Sequence, residues 1–200
     1  MRKIVSGVLF FAVCFVYSNS FAMNLEASLY ANNTSIGIKI AYLDKIDYGM
    51  MEAAFEGIYK SDDFKIFGVD LGVKSDDFFP GSRYKLGFKG VYADAEKNSD
   101  FNSELMSLCF VLGIEHDLSE KLNPIGIPVS FGAEFAASPE PLTFEEGELY
   151  LDGRVNINFH IMGSAKVILE YRFFKADFEK NGYSWGKEDH NFLFGYRLRF

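Results

Sequence analysis

Two hundred residues, 48% of them apolar and 17% aromatic, suffice for one folded domain and are too apolar and too regularly patterned for a disordered chain. Mean hydropathy is zero and no run of about 18 apolar residues remains past the first two dozen, which excludes a protein built on membrane-crossing helices. A formal net charge of −8 argues against nucleic acid as a partner.

The chain opens with Arg2 and Lys3, runs through a nearly unbroken apolar stretch from Ile4 to Tyr17, and then reads Ser18-Asn19-Ser20-Phe21-Ala22. A basic start, a short apolar centre and small residues at the third-last and last positions predict an export signal over 1–22, ahead of one domain over 23–200. Val13 stands before Cys14 where a lipoprotein site needs a small residue, so no lipid anchor is expected. Losing Arg2 and Lys3 leaves 18 of the 20 basic residues against 28 acidic ones, a charge of −10. Cleavage also leaves Cys109 as the only cysteine, so no internal disulfide can hold the exported domain together. Cys109 lies in an apolar segment, where packing is expected rather than a reactive thiol.

From Asn24 onward the apolar period is two. Leu25, Ala27, Leu29 and Ala31 alternate with Glu26, Ser28 and Tyr30, and Ile36, Ile38, Ile40 and Tyr42 with Gly37, Lys39 and Ala41. Similar segments begin near Met51, Lys65, Arg83 and Glu104, and four more run over 125–135, 151–161, 165–173 and 192–200. These are ten candidate strands of the length that crosses a bilayer at a barrel's tilt. Eighteen Gly, five Pro, 22 Phe and 11 Tyr fit the same picture. Asn32-Asn33, Ser61-Asp62-Asp63, Pro80-Gly81, Asn123-Pro124, Gly163-Ser164 and Asn181-Gly182 supply the turns. No helical stretch and no linker interrupts them.

Alternation alone also fits a soluble sandwich. The opposite face, however, is heavily charged: Lys39, Glu52, Glu56, Asp70, Lys85, Lys89, Glu134, Arg154, Lys166, Glu170, Arg172, Arg197 and Arg199. In a membrane barrel these face the lumen and the apolar residues face lipid. The end of the chain decides between the two. Phe192, Phe194, Tyr196, Leu198 and Phe200 share one face, and this segment resembles the C-terminal insertion signal read by the barrel assembly machinery of bacterial outer membranes. The expected fold is therefore all-β: a single antiparallel up-and-down transmembrane β-barrel of about ten strands, or eight if two weaker segments are loop. With the N-terminus in the periplasm, outer loops are expected near 32–34, 60–63, 94–103, 137–149 and 176–190, and inner turns near 44–49, 74–82, 116–124 and 162–164.

Ala136-Ala137-Ser138-Pro139-Glu140-Pro141, a following strand, Leu169-Glu170-Tyr171-Arg172-Phe173, a polar stretch and a closing Phe resemble the YfaZ family of bacterial outer-membrane proteins, best over 130–200. The resemblance implies location and barrel fold, not an activity.

Among candidate chemical groups, the lumen list holds eight basic and five acidic residues. Pairing of these charges in so small a barrel predicts a filled interior. Of the histidines, His116 reads as a solvated turn residue beside Asp117 and His160 as an interior hydrogen-bonding residue. His190, beside Glu188 and Asp189, is the only candidate base, and no serine is spaced to serve it, so no catalytic residues are assigned. Asp62-Asp63, Asp76-Asp77 and Glu145-Glu146 lack the spaced oxygen ligands of a Ca²⁺ loop, and no metal or cofactor is expected. Tyr183 and Trp185 read as interface aromatics or an exposed contact on the longest outer loop. The partners expected are outer-membrane lipid, the assembly machinery and an unidentified ligand at the exterior loops. The function expected is a structural or interaction barrel; the alternative is a narrow channel for small solutes, with an outer-membrane enzyme behind both.

Overall fold

The structure, a computed structural model, describes residues 24–61, 63–76, 79–98, 101–118, 128–180 and 182–200. The export segment 1–22 and the expected strand start at 125–127 lie outside the described residues, as do Asp62 and Asp77. Eleven antiparallel strands are seen: β1 Leu25–Ala31, β2 Ser35–Ile46, β3 Gly49–Lys60, β4 Phe64–Ser75, β5 Ser82–Asn98, β6 Phe101–Asp117, β7 Val129–Ser138, β8 Thr143–Glu145, β9 Gly147–Met162, β10 Ala165–Lys180 and β11 Tyr183–Arg199.

Strands pair in chain order except that β9 pairs with β7 and the short β8 pairs with β6, and β1 pairs with β11, so the sheet closes on itself. The wall has ten positions because β7 and β8 share one. β7 pairs with the lower part of β6 (Phe110 to Asp117) and β8 with its upper part (Leu105 to Ser107). Between them Pro139 and the 3-10 turn Glu140–Leu142 step out of the ladder, tied by the Ser138 hydroxyl to Leu142 O and to Thr143 Oγ1. Turn chemistry sets the hairpins. Asn32 Oδ1 accepts from the backbone of Thr34 and Ser35, closing β1 onto β2, and Gly182 takes a φ of +75° between β10 and β11.

The register fixes the barrel's dimensions. From Ala31 the pairings lead through Ile36, Tyr59, Lys65 and Asp94 to Glu104 on β6. In the other direction they lead through Phe194, Leu169, Ile157 and Phe131 to His116 on the same strand. The two arrivals are twelve residues apart. At ~3.3 Å per residue and ~4.8 Å between strands, that stagger over ten strands gives a tilt of about 40° and a backbone radius of about 10 Å. Side chains from opposite walls meet across such a bore.

Phe88, Phe110, Leu71, Leu86 and Leu112 point outward and are 52–63% exposed, which is a lipid-facing surface and not a core. Near the end away from the termini the apolar residues change face. On β10, Leu169, Tyr171 and Phe173 point out, whereas Phe174, Ala176 and Phe178 are buried inside. The same switch on β5 lies between Phe88 and Val91. It marks where lipid gives way to water. Consequently the expected long outer loops at 94–103, 137–149 and 176–190 are corrected: they are mostly strand, projecting past the membrane as β5–β6, β7–β9 and β10–β11. The expected inner turn at 116–124 is shortened likewise, since His116 and Asp117 close β6.

Candidate functional site

The barrel interior holds three layers. In the middle, Arg172 grips Asp152 with two hydrogen bonds, Nε–Oδ1 at 2.9 Å and Nη2–Oδ2 at 2.7 Å, while its Nη1 reaches Glu56 at 2.8 Å. Arg154 Nη2 meets both oxygens of Glu56 and Oδ2 of Asp152, and Lys89 Nζ lies 3.0 Å from Asp152 and 3.3 Å from Glu56. A second cluster centres on Lys85, which binds Glu52 and Glu134 at 2.9 Å each and also Asp70. Lys39 and Lys74 join it through Glu52, and Arg154 Nε links the two clusters at 3.6 Å from Glu134. Glu170 lies in the field of Arg154 and Arg172. Six cations thus face six carboxylates, and their mutual hydrogen bonds offset the cost of removing them from water. The long cationic side chains find room because β4 presents glycines beneath them: a Cβ on Gly68 would stand 2.7 Å from Lys89 Cε, and one on Gly72 3.0 Å from Lys85 Cε.

Toward the end away from the termini the interior is dry. Phe64, Tyr150, Phe174, Phe178 and Trp185 are buried there with Leu105, Ala93 and Ala95. Phe178 stacks on Trp185 at 4.6 Å, Phe64 meets Phe174 in a tilted contact at 5.2 Å, and Trp185 Nε1 donates to Ser103 Oγ at 3.2 Å. Toward the termini the interior is polar and roomier. A cavity of about 80 Å³ lies among Lys39, Glu52, Lys85, Glu134, Asn156 and Arg197. Arg197 is held by Ser28, Tyr30 and Glu26, and Lys166 by Glu115.

The charged residues singled out from the sequence, Lys39 through Arg197, all project into this interior; Arg199 sits exposed at its terminus-side mouth. Phe192, Phe194, Tyr196, Leu198 and Phe200 project to lipid. Asp152, the hub of the middle cluster, was missed, together with Lys74, Glu115 and the pair Lys187 and Asp189. Asp152 shares the period-two phase of Arg154, which is the signal that finds it. Trp185 is corrected: it is buried inside the barrel, while Tyr183 is exposed. His116 Nδ1 shares a hydrogen bond with Ser82 Oγ (2.8 Å) and His160 Nε2 with Ser130 Oγ (3.1 Å), so His116 is a strand residue and not a turn residue. His190 lies within β11 on the outward face, between the Tyr171 hydroxyl (2.6 Å) and Glu188 (3.0 Å).

No family model matches the chain, and no curated relative matches it by sequence. Solved structures similar to it include the Acinetobacter baumannii outer membrane protein Omp33 (8% identity, TM-score 0.39, covering 89% of this chain and 98% of that one). A KdgM porin in complex with disordered oligogalacturonate shows 9% identity and a TM-score of 0.43, covering 88% and 98%. The NanC porin shows 9% and 0.38, covering 88% and 97%. At these values no property of those porins transfers to this chain. The location rests on the barrel itself: an even-stranded closed sheet, apolar outside and ionic inside, is the form that spans bacterial outer membranes. The chain is an integral β-barrel of a bacterial outer membrane.

Proposed function

We propose that the barrel is closed to solute passage and serves as a structural and contact-making element, with the end away from the termini facing the cell exterior. The observation that supports this is the aromatic layer: Phe178 stacked on Trp185, and Phe64 against Phe174, above a layer of interlinked cations and carboxylates. A solute crossing would have to displace both. Residues 1–22 act as the export signal, and the outward row Phe192, Phe194, Tyr196, Leu198 and Phe200 is the face the assembly machinery reads. The resemblance of 130–200 to YfaZ barrels implies location and barrel fold and adds neither role nor chemistry. Catalysis is not part of the reading: among the described residues His190, the candidate base, bonds Tyr171 and Glu188 and no serine.

The test is reconstitution of the detergent-folded, heat-modifiable protein in a planar bilayer. Baseline current with no stable steps is expected, and a large stable conductance overturns the reading. A second reading, a narrow channel, is favoured by the polar cavity on the terminus side. Swelling of liposomes by small solutes, abolished by filling substitutions in that cavity, would establish it instead.

A further inference from the structure

β11 is longer than the strand that closes the barrel against it. Its pairing with β1 stops at Ala31–Phe194, whereas β10 follows it to Tyr183. Over Tyr183 to Leu193, therefore, β11 has a strand on one side only. The backbone direction along that edge is fixed by two contacts. Phe200 N donates to Leu25 O on the β1 side, and Phe192 O accepts from Asn32 Nδ2, also on that side, at 3.1 Å. The β10–β11 register has no irregularity, so the even-numbered residues keep this direction. Ser184, Gly186, Glu188 and His190 thus aim their N–H and C=O groups at the open side, and among the described residues no backbone pairs with them there.

Natural edges are usually blunted by bulges, prolines or charges laid across them. Here the charges point elsewhere. Lys187 pairs with Asp63, and Asp189 with Lys60 at 2.5 Å, all on the interior side of the sheet. On the outward side stand Ser184 and Gly186, which offer little bulk, followed by Glu188, whose carboxylate is turned to His190. The surroundings are strongly acidic: segments 60–65, 94–96, 104, 140–148, 175–179 and 184–190 carry twelve acidic side chains and four lysines among those described. We propose that this edge is a docking strip on which an extended, cationic polypeptide segment adds as a further strand beside β11. Main-chain hydrogen bonds supply the affinity and the acidic rim selects the charge. The inference deepens the contact-making role proposed above by naming the class of partner, and it rests on that role.

The probe is a fluorescein-labelled peptide of about nine residues alternating lysine and valine, titrated by anisotropy into the barrel in neutral detergent. Binding is expected, with loss on raising salt. Glu188→Pro removes an N–H on the open side only and leaves the β10 ladder intact; it is expected to weaken binding about tenfold or more. The same peptide N-methylated at alternate residues is expected to fail on the unchanged protein, a comparison independent of whether the variant folds. Hydrogen exchange supplies the third readout: the amides of Ser184, Gly186, Glu188 and His190 slow when the peptide is bound. Absent binding, or equal binding by the proline variant or the N-methylated peptide, overturns the proposal. A conductance measured on the same sample tests the closed-barrel reading separately.

Discussion

Arg172 and Asp152, on adjacent strands but offset by two residues from direct pairing, meet in a two-pronged hydrogen bond at the centre of the barrel, with Asp152 1% and Arg172 4% exposed. The pair matters because removing one partner alone leaves the cluster of Glu56, Lys89 and Arg154 around it with an unbalanced charge in a closed interior. Asp152→Asn is expected to destabilise the folded barrel by roughly 3–5 kcal/mol. Replacing both partners, Asp152→Leu with Arg172→Met, is expected to cost less than the single change, because no stranded charge remains. Denaturant unfolding in detergent, followed by heat-modifiable gel migration, reads the difference. A double variant worse than Asp152→Asn would show that the hydrogen-bonded geometry, not charge balance, carries the stability.

Trp185 and Phe178 separate two contributions to the dry layer. Phe178→Ala removes a fully buried ring and is expected to cost about 3–5 kcal/mol through the cavity it leaves. Trp185→Phe keeps the stack and loses only the hydrogen bond to Ser103, for an expected cost of about 1 kcal/mol plus the smaller ring's lost packing. Thermal unfolding of the two variants side by side should order them this way. Equal losses would mean that the stack between these cross-strand partners is not what stabilises the layer.

The ten-position barrel and its inside-out polarity were legible in the sequence because lipid imposes a strict alternation. Leu169, Tyr171 and Phe173 against Glu170 and Arg172 admit one phase only. The projecting half was not legible by the same rule, since water lies outside it and the apolar residues turn inward. In 174–187 the alternation continues in the opposite phase, through Phe174, Ala176, Phe178 and Trp185, and among so many charges this reads as loop. The hub carboxylate Asp152 fell just at the expected strand start. The open edge of β11 could not be read at all, because it depends on how far β1 reaches, and period-two patterning carries no information on which strands are neighbours.

Glu148 and Glu179 place two carboxyl groups in hydrogen-bonding contact on the exposed projecting wall, outside the membrane. The bond to Glu179 raises the Glu148 pKa above its ordinary 4.5. A raised value means that the folded state holds this proton more tightly than the unfolded chain does. The contribution is therefore present below about pH 4.5 and is lost as pH rises through the raised value. Glu148→Gln, which keeps a donor for Glu179, is expected to flatten that part of the stability profile between acid and neutral pH. An unchanged profile would show that the two groups do not share a proton.

Gly68 lies under the Lys89 side chain, with an added Cβ 2.7 Å from Lys89 Cε. Gly68→Ala therefore pushes at a lysine that is 1% exposed and tied to Asp152 and Glu56. The expected cost is about 1–3 kcal/mol, the range for overpacking. Gly153→Ala, whose Cβ meets only ordinary contacts at 3.6 Å or more on the outward face, serves as the comparison and is expected to be near neutral. Denaturant midpoints for the two alanine variants test whether glycine is there for the ion cluster or only for the sheet.

Ile157 sits within the outward belt, 40% exposed and paired across the sheet with Leu169 and Phe131, which also point outward, whereas Phe173 lies at the point where the apolar residues change face. If the outward surface is lipid-facing to that point and no further, an arginine should be penalised according to depth. Ile157→Arg is expected to cost about 2–4 kcal/mol and Phe173→Arg about 0–1 kcal/mol. Folding yields into phospholipid vesicles, compared with folding yields in detergent micelles, give the measurement. In micelles the gap between the two variants should shrink, because a micelle deforms around a charge more readily than a bilayer. Similar losses at both positions in vesicles would move the membrane boundary to include the projecting wall, and with it the aqueous exposure of β11 above His190.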